Sequence, residues 1–89
     1  MLYIVNSDIK ESSRAEAFAQ QLNEIGEYLY FMPKCYFLRT GGNMSSSDIY
    51  KRLKATLIDE DLFLLAPVEL GDLNGWLSSN VVDWLKNNK

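Results

Sequence analysis

The chain has 89 residues, 47% apolar and 24% charged, with only five Gly and two Pro. That is room for one hydrophobic core and excludes a two-lobed enzyme with a cleft between domains. Twelve acids, nine bases and no His leave a net charge of −3, which argues against a strongly basic nucleic-acid binder and removes Ser-His and Cys-His nucleophile pairs, His-ligated zinc and the usual proton shuttle.

Leu2-Tyr3-Ile4-Val5 is apolar on both alternating faces, the pattern of a central strand. Asn6-Ser7-Asp8 ends it, because such side chains bond their own backbone and favour turns. A helix follows: Ser13-Arg14-Ala15-Glu16 matches a capping box, and Phe18, Leu22 and Ile25 recur at helical spacing. Gly26 is placed to close that helix in a left-handed conformation.

From Tyr28 to Thr40 the period shortens to that of strands, rich in aromatics and interrupted at Pro33-Lys34. Proline has no ladder donor, so the interruption marks either a tight hairpin turn or a bulge in one long strand. Gly41-Gly42-Asn43 is a turn, and Ser45, Ser46 or Ser47 caps a second helix carrying Ile49, Leu53 and Leu57 on one stripe. That stretch lacks the spacing and the Gly-Lys-Ser/Thr of a phosphate loop. Asp59-Glu60-Asp61 is an acidic turn, and Leu62 to Ala66 reads as a buried strand closed by Pro67. In the tail, Asn80 caps a short helix with Val81, Trp84 and Leu85 on one side and Lys86 and Lys89 near its C-terminal end. Trp76 and Trp84 read as anchors of the tail on the sheet.

The order strand, helix, strand, strand, helix, strand is βαββαβ. It predicts a ferredoxin-like α+β fold, an antiparallel sheet with two helices on one face, plus a short C-terminal helix. Residues 1–89 form one domain, with 68–89 as a tail that packs on the domain or on a partner subunit. Apolar residues on both strand faces require cover for the second face, so a homodimer is expected. Cys35 is alone, which excludes an intrachain disulfide and a cysteine metal cage and suggests an inert buried thiol. No run approaches 18 apolar residues and the N-terminus has no basic flank, so neither a membrane span nor a signal peptide is predicted and the expected location is cytoplasmic.

In this order, the strand ending at Asp8-Ile9, the Lys34-Cys35-Tyr36-Phe37-Leu38 strand, the Ser-capped helix and the Asp61–Ala66 strand resemble the CRISPR-associated Cas2 proteins and the related VapD-like small ribonucleases. The Gly75-Trp76-Leu77 and Asp83-Trp84-Leu85 tail is similar to that of short bacterial proteins labelled SinR-like. The resemblance implies a dimer in which Asp8 faces its counterpart across the axis and the pair holds Mg²⁺ for phosphodiester cleavage. It equally implies a dimeric bridge without nuclease activity, the reading favoured here, with a protein or a nucleic acid as partner. Asn6-Ser7 departs from the apolar-Tyr lead into that aspartate. Lys10, Arg14, Arg39, Lys51, Arg52 and Lys54 are the candidate phosphate contacts, with positions 51 and 54 on one helix face.

Overall fold

The computed structural model describes residues 1–87, with the side chain of residue 87 left aside; Lys89 of the expected helix end lies outside the described residues. Its elements are β1 (Leu2–Asp8), α1 (Ser12–Ile25), β2 (Glu27–Met32), β3 (Cys35–Arg39), α2 (Ser46–Lys54), β4 (Leu62–Val68), a 3₁₀ turn (Leu70–Asp72) and α3 (Ser79–Asn87). The four strands form one antiparallel sheet in the order β2-β3-β1-β4. That order, with two crossover helices, is the ferredoxin-like arrangement.

The alternation along β1 explains both faces of the sheet. Tyr3 and Val5 point one way and join Tyr36, Leu38, Phe18, Leu22, Ile49 and Leu53 in the core beneath α1 and α2. Leu2 and Ile4 point the other way and pack with Phe37, Val81 and Leu85, so α3 lies on the second face. The tail therefore covers part of that face within a single chain. Arg39 secures α3 from below: its guanidinium lies 4.0 Å from the Trp84 ring centroid and donates to the Trp84 and Leu85 carbonyls.

Several local expectations change. The N-cap of α1 is Glu11, whose carboxylate accepts from the backbone N–H groups of Ser13 and Arg14. The charged cap reaches the same free donors a Ser would, so the helix starts earlier than a capping box at Ser13 predicts. Gly26 is extended, at φ −175°, and not left-handed. It is needed for space instead, because a Cβ there would sit 2.1 Å from the Arg39 carbonyl oxygen. Of the two readings of Pro33-Lys34, the hairpin holds: the two residues join the antiparallel β2 and β3, so there is no single long strand, and a separate register shift falls between Tyr30 and Met32. Lys34 sits at φ 66° after Pro33, the pattern of a type II turn. Ser45 caps α2, its hydroxyl accepting from the Asp48 N–H. α3 begins at Ser79, before the Asn80 expected to cap it, and the Ser78 carbonyl takes its first backbone bonds.

β4 runs through Pro67 to Val68 and is an edge strand. Its expected burial fails on one face: Leu62 and Leu64 are each 64% exposed. They stand opposite Asp8 and Asn6 of β1, at the end of the sheet away from the Leu2 and Arg39 positions that α3 packs over. Trp84 is an anchor as expected; Trp76 is not, its side chain being wholly exposed. Among the described residues no helix is long and apolar enough to cross a membrane.

Candidate functional site

Asp8 closes β1 at the uncovered end of the sheet. The Ser7 N–H donates to the Lys34 carbonyl at 2.8 Å, which brings the β2–β3 turn against the end of β1. Lys34 then donates from Nζ to Asp8 Oδ1 at 3.1 Å, while Lys10 Nζ donates to Oδ2 at 2.8 Å. These two ammonium groups, Lys10 first, hold the Asp8 carboxyl below its usual range. All three side chains remain accessible to water. Screening weakens such pairs, so they orient the carboxylate more than they stabilise the fold.

A shallow depression joins this cluster to apolar surface. It is lined by Asn6, Asp8, Pro33, Cys35, Leu62 and Leu64, among others. Cys35 is half-buried in this wall, where the sequence suggested an inert buried thiol. A divalent metal does not fit the site as one chain builds it. Asp8 supplies a single carboxylate already engaged through both oxygens, and among the described residues no three His, Cys, Asp or Glu side chains gather to hold an ion.

The six basic candidates have different fates. Arg14 is committed to Asp61: Nε donates to Oδ2 at 2.7 Å and Nη2 to Oδ1 at 3.2 Å. The Asp61 side chain is fully enclosed and also accepts from the Lys10 and Ile58 N–H groups. The Arg14 guanidinium, followed by the Lys10 amide, holds its carboxyl well below the carboxylate range. Arg39 is committed to α3, and burial lowers the affinity of its guanidinium for the proton. Lys10 belongs to the Asp8 cluster. Arg52 lies beside the Gln21 side-chain amide and reaches the Met44 sulfur at 3.8 Å, and Lys54 lies 5.8 Å from the Tyr50 ring centroid. Lys51, Arg52 and Lys54 line exposed positions of α2. Two of the six, Arg14 and Arg39, are thus spent on internal structure.

Sequence reasoning missed Lys34 as a partner of Asp8 and Asp61 as the buried anchor of Arg14. The first follows from register, since Asn6 stands opposite Cys35 and the turn residue Lys34 therefore comes beside the end of β1. Nothing local marks the second, which joins groups 47 residues apart.

No protein-family model and no curated protein matches the chain. Among solved structures, it is similar to a hypothetical protein from Thermus thermophilus at a TM-score of 0.60 and 24% identity, over 76% of this chain and 80% of that one. At that identity the likeness supports the ferredoxin-like fold alone.

Proposed function

We propose that the chain acts as a small dimeric scaffold of the Cas2-like kind, binding protein or nucleic acid without cleaving it. The observation that supports this is the half-covered sheet face. α3 packs on Leu2, Ile4 and Phe37, while Leu62 and Leu64 stay open to water beside Asp8. Leu62 to Val68 carries no charge, and an apolar edge strand of this sort invites association unless something covers it. The Asp8 cluster supplies a polar rim to that surface, with both lysines available for further contacts.

The second reading, a Mg²⁺-dependent nuclease, rests on the position of Asp8 at the rim of the same surface, where a second copy could bring another carboxylate. Against it stands the pairing of Asp8 with Lys10 and Lys34. The test is incubation of the purified protein with labelled RNA and DNA, with Mg²⁺ or with chelator, in wild type and Asp8→Ala. The scaffold reading predicts intact substrate in every arm. Metal-dependent cutting that Asp8→Ala abolishes would overturn it.

A further inference from the structure

Between the Leu70–Leu77 segment, α3 and the sheet lies an apolar groove of about 520 Å³, walled by Ile4, Phe31, Phe37, Leu73, Leu77 and Leu85. Trp76 stands at its lip, 100% exposed. A tryptophan left wholly exposed to water is unusual for the residue type that most often anchors interfaces. We infer that the groove receives Trp76 of a second copy, and that the two copies exchange these side chains across a twofold axis.

Three observations carry the exchange. The groove and the indole belong to the same face of the chain, so one twofold operation can satisfy both copies, as a self-complementary interface requires. The groove is large enough for an indole and is lined by Lys86, an ammonium suited to the electron-rich face of an aromatic ring. The exposed area is also sufficient. Trp76, Leu62, Leu64, Met32 and Leu70 leave roughly 600 Å² open per copy, most of the roughly 800 Å² that each partner buries in a standard interface. The inference rests on the dimer reading above and adds the residue that locks it.

The test separates the two claims. Trp84→Phe leaves Trp76 as the one tryptophan, and its emission is read along a dilution series while sedimentation gives the mass of the same samples. The exchange predicts emission typical of a buried indole where two copies are present, moving to that of a water-exposed indole as they separate. It also predicts that Trp76→Ala weakens association on the order of a hundredfold or more, with the melting temperature of the dissociated chain unchanged. Two copies with a water-exposed Trp76 would overturn the exchange and leave the dimer standing. A single copy at every concentration would overturn both.

Discussion

Replacing Gly26 by Ala tests the packing of α1 onto the sheet, because the structure sets both the sign and the size of the effect. A Cβ at this position would lie 2.1 Å from the Arg39 carbonyl oxygen and 3.1 Å from its carbon. The obstacle is backbone, and Arg39 is paired on both sides, with Leu2 and with Glu27. Relief therefore requires about 1 Å of movement in either the end of α1 or the end of β3. Overpacking of this kind costs about 1–3 kcal/mol. A stiffer unfolded chain returns about 0.4–1 kcal/mol of that. At the middle of both ranges the net loss is about 1.3 kcal/mol, a fall in melting temperature on the order of 5–10 °C for a chain this short. Gly41 is the control: a Cβ there meets nothing within 4 Å, so Gly41→Ala is expected to be neutral or stabilising by up to ~1 kcal/mol. Thermal and urea unfolding of both variants measure this. Gly26→Ala as stable as wild type would refute the close approach of α1 to β3.

Two further outcomes follow from the same physics. Leu64→Lys leaves the stability of the separated chain within about 0.5 kcal/mol, as expected of an exposed site. It weakens self-association, because burying the exposed part of Leu64 is worth about 1–2 kcal/mol per copy and a twofold counts it twice. That is ~30- to 1,000-fold in the dissociation constant from a dilution series, and an unchanged constant would place the interface elsewhere. The lowered proton affinity of Asp61 makes its stabilising contribution complete above the ordinary carboxylate range and lost as pH falls below about 4. The stability gap between wild type and Asp61→Asn, from urea midpoints at pH 7, 5 and 3, should therefore narrow toward acid. A constant gap would contradict the ion pair with Arg14.

The element order was legible because it depends on local periodicity. The apolar doublets of β1, the 3.6-residue stripe of Phe18 and Leu22 and the aromatic alternation around Tyr36 each report a nearby packing surface. Pro33-Lys34 was legible as a break, while its outcome, a hairpin with a register shift, depends on how β2 meets β3. The exposure of Leu62 and Leu64 was hidden, since strand residues of identical chemistry are covered or open according to how far α3 reaches. Trp76 misled for a related reason: an indole looks like a core anchor wherever it occurs, and only the path of the Leu70–Leu77 segment turns it outward. For the site, Asn6-Ser7-Asp8 reads from sequence as a turn after Val5, but β1 carries all three in the ladder opposite Leu64, Phe63 and Leu62, because pairing with β4 overrides their turn preference. The two lysines of Asp8 were not visible together, because one is a sequence neighbour and the other arrives through a turn 26 residues away.

Sedimentation equilibrium of the wild-type protein across the micromolar range measures the central claim, that the open half of the sheet is sealed by another copy of the chain. A mass of two chains that falls to one on dilution is the result predicted. A mass of one chain at every concentration would contradict it.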